Sequence, residues 1–295
     1  MNSSPGSNAY RPSRGLSFAI IAILYALATL VFLLSYRWME RADASPLLAL
    51  FVADVVATVF IWLCGVMCKN VSVYDPYWSV APPLMLTFWL GIEGYNMPSL
   101  LLLAAVWIWA FRLTGNWAYT FQGLHAEDWR YTRYRQNRNP FYFQLINLFG
   151  LNLVPTLQVF VAMLPALLLP EQAAEANPLS WVALAVCLGA VVIELVADIQ
   201  RHRFVRWRTS RDEILKTGLW RHGRHPNYFG EISFWWGVWL MYVSIYGIAC
   251  RPWLVVAPIS MTALFLFISI PMMERRQLAI KPAYADYRKR TRRLI

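Results

Sequence analysis

The chain has 295 residues, of which 58% are hydrophobic and 15% are charged, against about 45–50% and about 25% in soluble domains. Its net charge of +11 comes mostly from segments between apolar runs, and no basic segment has the context of a nucleic-acid-binding fold, so we expect no nucleic-acid partner. The composition excludes an ordinary soluble domain and predicts an all-α, polytopic membrane protein.

The apolar runs define the predicted membrane helices. Residues 1–15 are polar and predict a disordered tail, and residues 16–295 predict a single transmembrane domain. Runs of about twenty apolar residues are long enough to cross a bilayer as helices. We count seven or eight, because Pro82 and Pro83 interrupt the third. The predicted spans are 17–36, 46–68, 79–96, 99–119, 142–170, 179–200, 229–249 and 252–273.

Basic residues in the connecting segments predict the orientation of these helices. Arg and Lys are concentrated in alternate connections, such as 130–138 and 201–224. The positive-inside rule then places both termini in the cytoplasm. The membrane would be the inner membrane of a bacterium or the endoplasmic reticulum of a eukaryote.

The four cysteines do not predict a metal site. Cys64, Cys68, Cys187 and Cys250 lie in or at the ends of predicted spans, and no cluster of His or carboxylate residues accompanies them. We interpret them as packing residues and expect no bound metal.

Asp75 is the first residue with a candidate chemical role. It precedes Pro76, which disfavours a helical conformation at position 75, and Tyr74 and Tyr77 flank it. A carboxyl held among aromatic rings has a raised pKa and can donate a hydrogen bond to a substrate carbonyl. We assign the catalytic role to Asp75, helped by Tyr74 or Tyr77. The alternative is that Asp75 caps the third helix.

Two further segments carry charge beside apolar helices. Arg112 lies within the fourth span with Asn116 one turn later, and an arginine at membrane depth has to pair or face a cavity. The cytoplasmic arginines between 130 and 135 alternate with aromatic residues, a pattern that suits either a nucleotide or anionic lipid head groups.

The sixth span ends in a stripe of ionisable residues. Glu194, Asp198 and His202 follow at i, i+4 and i+8, so they share one helix face. This stripe can contact a cofactor, or it can form an ion-pair network that fixes the loop 201–226. The loop supplies Arg206 and Arg221 as further cations.

The cationic segment 218–231 lies between two apolar runs. Arg221, His222, Arg224 and His225 precede Pro226, which is favoured at the first turn of a helix. Positive side chains beside a helix N-terminus form a site for phosphate oxygens. The alternative is an ordinary positive-inside loop followed by a helix start.

Within that segment, the run Arg224-His-Pro-Asn-Tyr-Phe-Gly-Glu231 resembles the C-terminal motif of the membrane steroid 5α-reductases and the sterol C14- and C7-reductases. It resembles less closely the isoprenylcysteine carboxyl methyltransferases, which share an Arg-His-Pro-x-Tyr-x-Gly core. The resemblance covers about residues 69–295. The residues matching Asn227 and Glu231 touch NADPH in the reductases. One departure is Trp109 or a neighbour, which stands where that family has its catalytic tyrosine.

The resemblance and the residue patterns together imply an NADPH-dependent reductase of a carbon–carbon double bond conjugated to a carbonyl in a steroid or lipid-like substrate. No GxGxxG segment follows a predicted strand, so we expect no Rossmann site. The alternatives are an S-adenosylmethionine-dependent methyltransferase and a non-enzymatic, lipid-binding scaffold. The residues that we assign to cofactor binding are Arg112, Asn116, Glu194, Asp198, His202, Arg206, Arg221, Arg224, His225, Asn227, Tyr228, Glu231, Trp235 and Arg276.

Overall fold

The computed structural model describes residues 12–136, 138–171 and 173–295. Most of the predicted tail, residues 1–11, lies outside the described residues. The first helix already begins at Arg14, where the Ser13 side chain accepts a hydrogen bond from the backbone N–H of Leu16. Such a side-chain cap satisfies one of the free N–H groups of the first turn.

Within the described ranges, every named secondary-structure element is a helix. Two π-helical segments, Ile146–Leu153 and Leu264–Ser269, continue α6 into α7 and α10 into α11. The helices are α1 (Arg14–Arg41), α2 (Pro46–Met67), α3 (Tyr77–Glu93), α4 (Met97–Thr120), α5 (Trp129–Arg135), α6 (Pro140–Leu145), α7 (Val154–Leu167), α8 (Pro178–Trp207), α9 (Pro226–Tyr246), α10 (Val256–Ala263), α11 (Ile270–Ile280) and α12 (Tyr284–Arg290).

Among the described residues, six helical runs are long and apolar enough to cross a bilayer, which makes the chain an integral, multi-pass membrane protein. They are Arg14–Arg41, Pro46–Met67, Met97–Thr120, Pro140–Glu171, Pro178–Trp207 and Pro252–Ile280. These runs correspond to six of the eight predicted spans. The other two predicted spans are helical, as α3 and α9, but α3 has only 17 residues and α9 carries the polar motif at its start. The orientation of the termini stays a prediction.

The described residues divide into two compact units, and both α3 and α4 contribute to each. The first unit contains residues up to Val80 together with Trp117–Leu157. In it α1 packs against α2, whose inner face presents fully buried small and aliphatic residues such as Ala53 and Ile61. The Asn70 side-chain amide donates to the carbonyls of Leu124 and Ala126 at 2.8 and 3.0 Å, which joins the loop after α2 to the loop after α4.

The second unit contains Ala81–Asn116 and Gln158–Ile295, and the packing of α8 against α9 dominates it. Two glycines of α9 allow this close contact. A Cβ at Gly230 would lie 2.4 Å from Cγ of Glu194, and one at Gly237 would lie 2.6 Å from Sγ of Cys187. Small residues of this kind let membrane helices approach closely. The contact holds Glu194 against the start of α9, where the motif lies.

Candidate functional site

Arg112 is the centre of a buried charged cluster in the second unit. Its Nη1 lies 2.9 Å from Oε2 of Glu194, and its Nη2 lies 2.5 Å from Oδ2 of Asp198. All three side chains are at most 7% exposed. The predicted stripe on α8 therefore forms an ion-pair network, with the intramembrane arginine of α4 as its partner. Charges at this depth need such pairing, because an unpaired charge in the bilayer is costly.

Glu231 lies beside this cluster and is held by two indoles. Nε1 of Trp235 donates to Oε1 of Glu231 at 3.0 Å, and Nε1 of Trp109 lies 3.2 Å from both carboxylate oxygens. Glu231 and Glu194 also interact electrostatically. Trp109 stands at or near the position where the reductases have their catalytic tyrosine. In this protein its indole positions Glu231, the acid of the motif. The geometry is that of a fixed acid with its oxygens oriented by neighbouring donors.

The remaining residue of the stripe, His202, pairs with Asn116 at 2.7 Å between Nε2 and Oδ1. The two predicted cofactor residues are thus brought together, about one turn beyond Arg112 on α4. The structure places Arg112, Asn116, Glu194, Asp198 and His202 along one continuous interface between α4 and α8. Glu194, Asp198 and His202 therefore lie on one face of α8, as their spacing along the helix predicts.

Arg224, the first residue of the motif, is fully engaged by the protein. Its Nε and Nη2 both lie 2.8 Å from Oε1 of Glu274 on α11. Its Nη1 donates to the carbonyl oxygen of Arg288 at 2.8 Å and to that of Thr291. The Arg224 side chain is only 6% exposed. The guanidinium therefore joins the motif to the C-terminal segment that follows α11, and it has little capacity left for a phosphate.

His225 and Tyr228 form the next part of the motif. Their rings are stacked, with the ring centroids 5.3 Å apart and an interplanar angle of 5°. Burial lowers the pKa of His225, and Glu274 partly offsets this effect. The imidazole is therefore mostly neutral at neutral pH. A neutral imidazole against a phenol is an aromatic surface suited to a planar ring.

A cavity of about 520 Å³ opens at this motif within the second unit. Its volume falls in the range of about 300–1,000 Å³ that is typical of small-molecule sites. Asn227 and Tyr228 form part of its wall, and the described lining residues include no Asp or Glu. Its cationic lining residues are Arg201, Arg208, Arg211, Arg224, Arg276 and Lys281. A cavity of this kind favours an anionic ligand.

The residues assigned to cofactor binding thus fall into three groups. Arg224, His225, Asn227, Tyr228 and Arg276 line the cavity. The second group, Arg112, Asn116, Glu194, Asp198, His202, Glu231 and Trp235, forms the buried polar cluster. The third group, Arg206 and Arg221, is exposed and outside the cavity lining. The sequence analysis missed Arg201, Arg208, Arg211 and Lys281, although the density of basic residues at the end of α8 and after it pointed to the three arginines.

Asp75 lies in the first unit and contacts two residues of α5. It accepts a hydrogen bond from the Tyr131 hydroxyl, and Nη2 of Arg130 lies 3.7 Å from Oδ1. Burial raises the pKa of Asp75 to about 6, with Arg130 and Tyr131 acting in the opposite direction. An acid with one hydrogen bond and one ion pair to the same helix stabilises the local structure, so a catalytic role for Asp75 stays a prediction.

Tyr74 and Tyr77 lie instead beside a carboxyl that the sequence analysis overlooked. Asp54 on α2 is 6% exposed and interacts electrostatically with both tyrosines. Among the described residues it has neither a hydrogen bond nor an ion pair. An acidic residue in the middle of a predicted span was the available signal, and the 46–68 run was interpreted only as a membrane helix.

A chain of hydroxyl groups connects the same two tyrosines. The Tyr77 hydroxyl bonds to Thr58. Thr58 Oγ1 lies 3.0 Å from Thr156 Oγ1, which lies 2.8 Å from the Tyr74 hydroxyl. This chain and Asp54 form a second buried polar cluster at membrane depth. Groups of this kind orient a substrate oxygen and can pass protons between neighbours.

The fold therefore defines an α-helical membrane protein. It contains a buried arginine–carboxylate cluster and a cationic cavity at a polar helix start. The chain belongs to the family described as a protein of unknown function, DUF1295, whose model matches residues 61–291. It is 25% identical to "Uncharacterized protein C594.04c" of Schizosaccharomyces pombe, over 94% of this chain and 88% of that protein. No solved structure gives a significant match.

Proposed function

We propose that this protein is an NADPH-dependent membrane reductase that saturates a carbon–carbon double bond conjugated to a carbonyl in a steroid or lipid-like substrate. The observation that carries the proposal is the cationic cavity whose wall includes Asn227 and Tyr228 of the motif. The same motif resembles that of the membrane sterol and steroid reductases.

The residues of the cavity fit a phosphorylated dinucleotide. Five cationic side chains of the cavity, all but the engaged Arg224, suit its several phosphate oxygens. The stacked rings of His225 and Tyr228 offer a surface to a planar base or ring. Asn227 supplies an amide that can both donate and accept. When bound, NADPH supplies the hydride. The role of the cavity is to hold the anionic groups and to orient the ring.

The buried cluster of Arg112, Glu194, Asp198 and Glu231 lies against the start of α9, which carries the motif. Its ion pairs and the two indole bonds to Glu231 are formed before any ligand arrives. Rigid supporting contacts lower the ordering cost of binding. We therefore assign these residues to positioning of the motif, of which Glu231 is itself the acid.

The carbonyl of the substrate requires a donor that stabilises the negative charge developing on its oxygen as hydride reaches the β-carbon. Asp54 and Asp75 are the candidates. An unpaired charge at the depth of Asp54 is costly, which favours a carboxyl that retains its proton and can donate. Asp75 already accepts a hydrogen bond from Tyr131 and lies within ion-pair distance of Arg130. We therefore propose Asp54, with Tyr74 and Tyr77 beside it, as the donor in preference to Asp75.

The charge of the cavity supports the reductase over a methyltransferase. S-adenosylmethionine carries a sulfonium, an ammonium and one carboxylate, so its net charge is positive, and a cavity with six cationic residues and no described acidic lining residue disfavours it. The buried ion-pair network on α8 argues against a simple lipid-binding scaffold, which has no need of such a network.

The test is single-turnover oxidation of NADPH by the purified protein in detergent with a panel of steroid and prenyl enones. We expect loss of NADPH absorbance together with a product that has gained two hydrogens across the double bond. Asn227→Ala should abolish NADPH binding while the protein stays folded and monodisperse. Absence of turnover with every enone, in a protein that binds NADPH, would contradict the assigned reaction.

A further inference from the structure

The cations of the cavity differ sharply in how they are neutralised. Arg224 is paired with Glu274 and with two backbone carbonyls. In contrast, no ion pair within the described residues involves the four cations that α8, the following loop and the end of α11 supply. We call these four the open cluster, and its members are Arg201, Arg208, Arg211 and Lys281.

Asp212 and Glu213, the acidic residues that interact with Lys281, form no ion pair with the open cluster within the described part of the chain. The Glu213 carboxylate accepts hydrogen bonds from the backbone N–H groups of Thr209 and Ser210, both at 2.9 Å. These bonds stabilise the turn that contains Glu213. Lys281 Nζ instead donates to the Glu213 backbone carbonyl oxygen at 2.6 Å. A carbonyl oxygen orients the ammonium but leaves its positive charge uncompensated.

Lys281 shows the effect of this crowding. Its side chain is half-buried, and burial together with the guanidinium groups of Arg208 and Arg201 lowers the pKa of its ammonium, with Asp212 and Glu213 acting in the opposite direction. Like charges held together in this way are mutually destabilising. A multiply charged anion between them would remove that cost. Arg201 and Arg211 are exposed at the same end of the cavity, so an anion can reach the cluster from water.

We propose that the open cluster is the binding site for a phosphate monoester, and that it selects the 2′-phosphate of NADPH over the 2′-hydroxyl of NADH. This inference rests on the proposed function. A phosphate monoester approaches two negative charges at neutral pH and presents three strong acceptor oxygens. Guanidinium groups bind such oxygens in pairs, and an ammonium adds a point charge. Arg224, which is already engaged, contributes positioning of the motif.

The experiment is a direct titration of the full-length protein in detergent with NADPH, NADH and adenosine 2′-monophosphate. The test variant is Arg208→Gln/Arg211→Gln. The matched control is Arg203→Gln, an exposed arginine near the end of α8 that does not line the cavity. We expect the double variant to bind NADPH about tenfold to a hundredfold more weakly, as the loss of charge-assisted bonds predicts. Its affinity for NADH should stay unchanged.

A competition experiment and a second variant separate recognition of the 2′-phosphate from other effects. Adenosine 2′-monophosphate should compete with NADPH in the parent and in Arg203→Gln, but not in the double variant. Lys281→Gln repeats the test if the double variant does not keep the melting temperature of the parent. An equal loss of NADPH and NADH affinity would assign the cluster to the pyrophosphate and overturn the inference, while leaving the reductase proposal intact.

Two other outcomes would also overturn it. Displacement of NADPH by a short-chain phosphatidate but not by adenosine 2′-monophosphate would make the cluster a lipid site. A loss in Arg203→Gln equal to that in the double variant would reduce the effect to general surface charge. If the parent binds neither NADPH nor NADH, the proposed function fails first, and the inference fails with it.

Discussion

At the scale of single residues, the two candidate acids make opposite predictions. A donor to the substrate oxygen acts mainly in the transition state, so its loss lowers the rate far more than it weakens binding. We expect Asp54→Asn to slow single-turnover NADPH oxidation by about two to three orders of magnitude, the usual contribution of one positioned donor. NADPH affinity should barely change. The measurement is stopped-flow absorbance with saturating enone.

Asp75→Asn is the matched variant for that comparison. If Asp75 is structural, as its contacts with Tyr131 and Arg130 favour, this variant turns over at close to the parental rate per folded molecule. The reverse pattern, with a slow Asp75→Asn and a normal Asp54→Asn, would return the catalytic role to Asp75 and remove it from Asp54.

The raised pKa of Asp75 makes a separate prediction about stability. Burial raises the pKa to about 6 in the folded protein, against about 3.9 in an unfolded chain. The folded state therefore binds more protons between these values, and the free energy of unfolding falls as pH rises from about 4 to about 6. Asp75→Asn should remove this decline. Melting temperatures between pH 4.5 and 7 measure it, and parallel pH profiles for parent and variant would count against a buried, titrating Asp75.

The sequence predicted the residues of the buried cluster better than their partners. Regular spacing on one helix put Glu194, Asp198 and His202 on a single face, and the intramembrane position of Arg112 required a partner. Glu274 was not identified as the partner of Arg224, because 50 residues separate them along the chain. No local pattern encodes a contact of that range. Asp54 was missed for a related reason, since its tyrosine neighbours come from the segment after α2.

At the scale of helices, the packing of α8 on α9 depends on Gly230. A Cβ there would lie 2.4 Å from Glu194 Cγ and 2.8 Å from the Ala190 backbone oxygen, and a backbone atom cannot move aside alone. We expect Gly230→Ala to destabilise the protein by about 1–3 kcal/mol, as overpacking does. It should also weaken NADPH binding, because the motif shifts with α9.

Gly189→Ala is the control for that substitution. Gly189 lies on α8, and nothing is within 4 Å of the position its Cβ would take. Since alanine favours a helix over glycine, this variant should be neutral or more stable by up to about 1 kcal/mol. Thermal unfolding in detergent compares the two. Equal melting temperatures for both variants would show that the close helix contact is not required.

The C-terminal segment is a second element whose attachment can be tested. Arg224, Arg288 and His225 all contact Glu274, so Glu274→Gln leaves a buried guanidinium with a neutral partner. Breaking a buried ion pair costs about 3–5 kcal/mol when one partner is removed, and an amide that still accepts a bond should cost less. We expect a lower melting temperature and faster proteolysis after α11.

Asp286→Asn is the appropriate comparison for Glu274→Gln. Asp286 forms an exposed pair with Lys289 at 3.7 Å, and such surface pairs contribute little. This variant should melt and be cleaved like the parent. Comparable damage from both substitutions would mean that the C-terminal segment responds to any loss of negative charge, and not to the buried pair.

At the scale of the whole molecule, the helices were predicted more accurately than their assembly. Each of the eight apolar runs is helical, because hydrophobic length and composition determine helix formation in a bilayer. The division into two units was not predicted, since its boundaries fall within α3 and α4, after Val80 and after Asn116. Only contacts between distant segments set these boundaries, and they leave no trace in local periodicity.

The central claim is that this protein binds NADPH, and ligand-dependent stabilisation tests it most directly. A ligand that binds only the folded state at a hundred times its Kd stabilises it by about 2.7 kcal/mol. The measurement is the melting temperature of the purified protein in detergent with matched concentrations of NADPH, NADH and S-adenosylmethionine. We predict a clear rise with NADPH and a smaller rise with NADH, reflecting affinities at least about tenfold apart, and no change with S-adenosylmethionine. A rise with S-adenosylmethionine alone, or with no ligand of the three, would contradict the assignment.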